Sequence, residues 1–225
     1  MGLKMIGRLV FIAALVAAPI VCAQEAREAV PPTPAEIAVA RATADQLIRD
    51  AGAEGIFANK TADGVPTVEH LASGMRCLFS DSSNDRIRIF PGQDDGVLRG
   101  DDVGCISREE SLLIDTTTYA TRYRPLPSEG AVIADSVNAI RSRWPDAIPF
   151  DGALASTSIG DWPAPKFAAF KVATPDGPML TMVLVLHVGE WGYKVRATGR
   201  FEDAMLVSVY AGVIMANIQT GAHGD

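Results

Sequence analysis

Histidine is the first residue type to consider for catalysis or metal binding, and the chain holds three. His70 ends a predicted strand, His187 lies in the most apolar predicted strand, and His223 is near the end of the sequence. No two have the short spacing of a zinc site, so they predict no metal centre. His187 is the candidate general base, because a buried imidazole can accept a proton near neutral pH. The alternative is an imidazole hydrogen-bonded to a neighbour at the sheet margin.

An acidic stretch at 93–102, QDDGVLRGDD, offers four carboxylates among glycines. Calcium requires hard oxygen ligands, and a loop can supply them. The candidate ligands are therefore Asp94, Asp95, Asp101 and Asp102. The spacing is not that of an EF-hand, because no acidic residue stands at the closing position. A solvated acidic loop is the alternative interpretation.

Aromatic residues with polar tips form a third candidate group. Tyr119 and Tyr123 share one face of a long predicted strand, and Trp162 stands in a proline-rich loop. Such side chains can bind a ligand or anchor a protein partner. The alternative is that they cover the margin of the sheet beneath a helix.

Sequence motifs for catalysis or cofactor binding are absent. The chain contains no Gly-x-Ser-x-Gly, Ser-x-x-Lys or His-Glu-x-x-His, and no glycine-rich phosphate loop opens a predicted helix. We therefore expect no cofactor, and an enzyme is not favoured, although a triad built from distant residues is recognised only by its geometry. The formal net charge of -7 argues against a nucleic-acid binder, which needs clustered Lys and Arg.

The first 23 residues predict a cleaved signal peptide. Lys4 and Arg8 form a basic start, residues 9–21 are uncharged and apolar, and cleavage is expected after Ala23. The apolar run spans about 20 Å as a helix, which is too short for a hydrocarbon core of about 30 Å. We therefore expect a periplasmic or secreted protein with no stable transmembrane anchor after cleavage.

The three cysteines divide between the signal peptide and the mature chain. Cys22 is expected to leave with the peptide, because Pro19 and Val21 do not match the residues that precede a lipidated cysteine. Cys77 and Cys105 remain, and an even number of cysteines in an exported protein predicts a disulfide bond. Two free thiols are the alternative.

The rest of the sequence predicts one domain, preceded by a short tether and followed by a short tail. Residues 24–33 are polar and proline-containing, which is typical of a flexible tether. Residues 34–221 carry helical and strand patterns throughout. Residues 222–225 are expected to be a disordered tail.

Three helices are predicted from apolar residues at helical spacing. The first follows a Thr-x-x-Glu capping box at Thr33, and the second follows Ser128 and ends before Pro145. The third covers about 202–220. Its apolar face is formed by four residues: Leu206, Val209, Val213 and Ala216.

Strand patterns fill the segments between the helices. Residues 86–90 alternate Arg and Ile, so the arginines should face solvent. Residues 167–174, 179–188 and 193–200 predict a three-stranded antiparallel meander whose middle strand is buried on both faces. The predicted fold class is α+β: an antiparallel sheet packed by an N-terminal, a middle and a C-terminal helix.

The order of these elements resembles that of small exported sandwich proteins of the photosystem-accessory (PsbP/Mog1-like) kind. The resemblance is one of shape and implies no function.

Three function classes follow from these patterns. The first is a non-enzymatic binding or accessory module of the cell envelope that holds a protein partner or a small ligand. The second is an envelope hydrolase with a non-contiguous active site around His187, and the third is a calcium-steadied structural envelope protein. The lack of catalytic motifs and the acidic composition favour the binding module.

Overall fold

Residues 31–91, 98–154 and 163–223 are described by the computed structural model of the chain. The chain divides into two units, Met1–Pro31 and Pro32–Asp225, and the fold below is that of the second. The predicted signal peptide, and residues 24–30 of the predicted tether, lie outside the described residues.

Two antiparallel sheets and three helices confirm the predicted α+β class. The helices are α1 (Pro34–Asp50), α2 (Glu129–Arg143) and α3 (Ala204–His223), with a 3-10 turn at Phe201–Asp203 leading into α3. The strands are β1 (Phe57–Asn59), β2 (Thr67–His70), β3 (Arg76–Leu78), β4 (Arg86–Ile89), β5 (Asp102–Glu109), β6 (Ile114–Arg122), β7 (Ile148–Pro149), β8 (Lys166–Thr174), β9 (Gly177–Val188) and β10 (Trp191–Arg200).

The first two helices begin at the caps that the sequence predicts. The Thr33 hydroxyl accepts from the Glu36 backbone N–H at 3.3 Å, and the Glu36 carboxylate accepts from the Thr33 N–H at 2.6 Å. The bond from the Thr33 backbone lowers the pKa of Glu36. Ser128 caps α2 by accepting from the Ala131 N–H at 3.2 Å. These bonds satisfy donors that a helix start otherwise leaves unpaired.

The larger sheet, called the main sheet below, has seven strands in the order β4-β5-β6-β10-β9-β8-β7. Strands β8, β9 and β10 form the predicted antiparallel meander. In β9, residues 180–186 are buried without interruption. A strand covered on both faces has this continuous apolar character, and the main sheet does carry a core on each side of β9.

The smaller sheet, in the order β1-β2-β3, is separate from the main sheet, whereas the sequence patterns did not divide the strands. A disulfide bond and a buried hydrogen bond are among the links between the sheets. The predicted disulfide bond connects Cys77 on β3 to Cys105 on β5. The Tyr193 hydroxyl on β10 donates to the Ser73 carbonyl, in the turn between β2 and β3, at 2.6 Å. The small sheet thus packs against one side of the main sheet, where α1 and α3 also contribute to the core.

Helix α3 buries a different face from the one that the sequence analysis selected. Leu206, Val209 and Val213 are 38%, 40% and 49% exposed. The buried residues include Val207, Ala211, Met215 and Ile218. The prediction was wrong because α3 is apolar around most of its circumference, so spacing alone does not identify the face that packs. The helix also continues through His223, which moves residues 222 and 223 out of the predicted tail.

The helical stretch Phe201–His223 is also long and apolar enough to cross a membrane by length and composition, with a mean hydropathy of 1.4. It is the one such helix in the described part of the chain. Helices that close a protein core meet the same criteria. Here α3 packs on β9, β10 and β3.

Candidate functional site

One side of the main sheet is only partly covered. Helix α2 packs on β8 and β9, where Val132 and Ile140 contact a cluster that includes Phe170 and Val185. Beyond that cluster, strands β10, β6, β5 and β4 continue on the same side with exposed or half-buried side chains. We call this side of those four strands the open face.

Strand register arranges four cationic side chains on the open face. Arg88 pairs with Gly104, Gly104 with Tyr119, and Tyr119 with Lys194, which makes one row across the four strands. A second row lies two residues away along the strands. In it, Arg86 is on β4 and Arg196 is on β10, as Arg88 and Lys194 are in the first row. Strand spacing and rise place the Cα atoms of these four residues at the corners of a rectangle of about 14 Å by 7 Å.

Tyr119 lies between the cations and is held by its neighbours. The Phe90 ring stacks on it with centroids 5.9 Å apart, and the Lys194 Nζ lies 4.2 Å from its ring centroid. Gly104 makes room for this stack, because a Cβ there would lie 3.2 Å from the Phe90 ring and 2.8 Å from the Thr118 carbonyl. The open face therefore carries an aromatic pair, Tyr119 and Phe90, and the Lys194 ammonium group makes a cation–π contact with Tyr119.

The four cations lack carboxylate partners. Within the described residues, no carboxylate oxygen lies within 4.0 Å of the side-chain nitrogens of Arg86, Arg88, Lys194 or Arg196. Burial, and then the charge of Arg196, lower the pKa of Lys194. A chain with a net charge of -7 thus presents a locally positive surface, and such a surface attracts anions.

Acidic groups stand at one end of the open face. The Thr121 hydroxyl donates to Asp102 Oδ1 at 2.9 Å, and burial raises the pKa of this carboxyl. Asp102 and Asp135 of α2 both act electrostatically on Lys194. The positive charge that these carboxylates do not offset is therefore that of Arg86, Arg88 and Arg196.

Both predicted tyrosines lie on the open face or at its margin. Tyr119 occupies its centre, and Tyr123 follows β6 beside the His187 ring, with centroids 6.3 Å apart. A Cβ at Gly192 would lie 2.6 Å from the Tyr123 ring, so this glycine lets Tyr123 cover β10. Tyr123 is partly packed against the α2 cluster. Their predicted role in binding remains a prediction, and Trp162 lies outside the described residues.

Among the described residues, none forms a catalytic arrangement with His187. Its backbone N–H donates to Glu129 Oε1 at 3.2 Å, and burial lowers the pKa of its ring. The ring nitrogen Nε2 is buried and has no hydrogen-bond partner in the described part of the chain. Neither a hydroxyl nor a carboxylate from these residues contacts the ring as a nucleophile or an orienting group would. The geometry gives the hydrolase hypothesis no support.

Of the four candidate calcium ligands, Asp101 and Asp102 have carboxylates that point in different directions. Asp101 accepts from the Leu98 N–H at 3.2 Å and lies 3.5 Å from the Arg122 guanidinium, whereas Asp102 faces the open face. Asp101 precedes β5 and is directed to Leu98 and Arg122, whereas Asp102 is directed to Thr121, so the two carboxylates have different partners. Asp94 and Asp95 lie outside the described residues. Among the residues described, no group of three metal-ligating side chains is found.

A buried serine–histidine pair, His70 and Ser73, was not predicted from the sequence. The His70 Nδ1 and the Ser73 Oγ are 2.7 Å apart, and Ser73 is 6% exposed. Rings of Phe57 and Trp191 pack against His70 at 5.1 Å and 5.4 Å. A substrate cannot reach a hydroxyl enclosed in this way, so we assign the pair to the core. Its short spacing, three residues across a turn, was the available signal.

Comparisons with known proteins give little beyond this geometry. No protein-family model matches the chain, and no curated protein matches it by sequence. Among solved structures, the chain is similar to LpqN of Mycobacterium tuberculosis, described as "involved in cell envelope biogenesis". The identity is 6%, the match covers 63% of this chain and 86% of LpqN, and the TM-score is 0.29. A similarity at this level carries no argument about fold or function.

Proposed function

We propose that this protein is an exported binding module of the cell envelope whose open face holds an anionic partner. The observation that carries the proposal is the rectangle of four cations around Tyr119, none of which has a carboxylate partner within the described residues. Cations that have no carboxylate partner within the described residues can pair with carboxylate or phosphate groups of a ligand. Guanidinium groups suit both, because their planar donors match the geometry of these oxyanions.

Two observations support the proposal that the protein is exported. The N-terminal pattern is that of a cleaved signal peptide. The Cys77–Cys105 disulfide is a bond that persists in oxidising compartments and is rare in reducing ones. An envelope location would also bring the open face near acidic polymers, lipids and proteins.

Binding to immobilised poly-L-glutamate at about 50 mM salt tests the proposal. We expect the double variant Arg88→Glu/Arg196→Glu to bind at least tenfold more weakly than the wild type, because it reverses two corners of the rectangle. The matched control, Arg49→Glu/Arg143→Glu, changes the net charge equally on α1 and α2 and should retain most of the affinity. Tyr119→Ala should also weaken binding while the chain stays folded.

Two results would overturn the proposal. Equal losses from both double variants would mean that only the overall charge matters. A wild-type chain that binds neither poly-L-glutamate nor polyphosphate would have no anion site on this face.

A further inference from the structure

Strand β4 is an edge of the main sheet, and half of its backbone groups point outward. The Phe90 N–H donates to the Asp102 carbonyl at 2.9 Å, which places residue 90 in a hydrogen-bonded pair with β5. Antiparallel pairs alternate, so Arg86 and Arg88 also bond to β5, whereas Ile87 and Ile89 direct their N–H and C=O groups away from it. No partner for these outward groups occurs in the described part of the chain.

A groove of about 790 Å³ runs along this edge. Its lining includes β4 on one side and, on the other, Arg99 and the last turn of α1, and the carboxylates of Asp50 and Asp85 also line it. Leu47 of α1 and Ala51, which caps the end of that helix, pack against the main core here and give the lining an apolar part. A strand-shaped ligand placed in the groove would therefore meet unpaired backbone groups and apolar side chains together.

The two sides of the groove differ in chemistry. Arg86 and Arg88 extend from β4 toward the open face, while Ile87 and Ile89 point toward the core. In an added antiparallel strand, residues opposite the arginines would have their side chains on the open face, and the alternate residues would face Leu47 and Ala51. Charge complementarity therefore favours acidic residues at every second position and apolar residues between them.

We propose that the anionic partner is an extended peptide segment that adds to β4 as an antiparallel strand, with acidic residues alternating with apolar ones. This inference rests on the proposed function and specifies its partner. Main-chain bonds to Ile87 and Ile89 would supply affinity, and pairing with Arg86 and Arg88 would supply selectivity. The same arginines also keep the unoccupied edge from pairing with another copy of the chain, since charged side chains discourage edge association.

The probe is a synthetic hexapeptide in which Glu alternates with Val, compared with a peptide in which Lys alternates with Val. We expect the Glu peptide to bind at least tenfold more tightly, and its binding to slow hydrogen exchange at the Ile87 and Ile89 amides at least tenfold. The amides of β1, an edge of the small sheet, serve as the control and should not change.

Backbone methylation tests the register directly. In the proposed pairing, the valine N–H groups bond to Ile87 and Ile89, and the glutamate N–H groups point outward. Methylating the valine nitrogens should therefore reduce affinity at least tenfold, whereas methylating the glutamate nitrogens should change it less than threefold. Equal effects from the two peptides, or a larger effect from the glutamate nitrogens, would overturn the inference.

The outcomes separate this inference from the proposed function. If the Glu peptide binds without protecting the Ile87 and Ile89 amides, the edge inference fails and the anion-binding face stands. If the Glu peptide does not bind but poly-L-glutamate still requires Arg88 and Arg196, the partner is not an added strand. If neither probe binds, both proposals fail.

Discussion

His70 shows how a single polar side chain can be fully accommodated in the core. The Ser73 hydroxyl accepts from the Met75 N–H at 3.2 Å and forms a second hydrogen bond, of 2.7 Å, with His70 Nδ1. The imidazole also makes a hydrogen bond to the Gly100 backbone. Burial disfavours the charged imidazole and so lowers the pKa of His70, which leaves the ring neutral at pH 7.

The neutral state of His70 predicts a loss of stability in acid. Burial lowers the pKa of His70 from 6.5 to about 4, with Gly100 and Asp101 opposing and Arg122 reinforcing the shift. The unfolded chain binds a proton below pH 6.5, and the folded chain does so only near pH 4, so acidification across this window favours unfolding. The free energy of unfolding should fall by about 3 kcal/mol from this residue.

Urea unfolding at pH 7 and pH 4, for wild type and His70→Gln, measures this contribution. The variant should lose less stability on acidification than the wild type, by about 3 kcal/mol. An equal loss in both proteins would show that His70 does not titrate in this window.

At the scale of the element, the two sides of α3 should respond differently to truncation. Met215 is fully buried, and Met215→Ala should lower the free energy of unfolding by about 2 to 5 kcal/mol. Val213 is 49% exposed, and Val213→Ala should change it by less than about 0.5 kcal/mol. Urea midpoints of the two variants make the comparison. If Val213→Ala lowered the free energy of unfolding more than Met215→Ala, the packed face of α3 would be the one predicted from the sequence.

Local signals predicted most of the elements. The Thr33 and Ser128 caps and the apolar run of β9 each act within a few residues, so a sequence displays them directly. The packed face of α3 was not predictable in this way. An apolar helix leaves the choice of face to the sheet it meets, and that sheet is assembled from distant strands.

The open face was predicted only in pieces. Alternation placed Arg86 and Arg88 in solvent. What the sequence did not show is that β10 pairs with β6, which brings Lys194 beside Tyr119 across about 75 residues of chain. The cationic rectangle depends on that pairing, and strand pairing over such distances is set by the whole fold.

At the scale of the molecule, the disulfide ties two sheets that share one core. Its cysteines are 28 residues apart, and closing a loop of this size stabilises the fold by about 3 to 4 kcal/mol in the chain-entropy account. We expect the double variant Cys77→Ala/Cys105→Ala to lose that amount, and the wild type in reductant to lose a similar amount. Urea unfolding with and without reductant checks it. Identical midpoints for oxidised and reduced wild type would contradict the prediction.

Among the described elements, α3 is the last to leave the ribosome. Until it does, the side of the main sheet that receives Val207, Ala211, Met215 and Ile218 is uncovered, so no earlier fragment can close the main core. If the protein is exported as proposed, the late synthesis of α3 keeps the nascent chain unfolded, and an unfolded chain can cross a membrane. It also leaves apolar strands exposed to aggregation, so the chain should require a holding chaperone between synthesis and translocation.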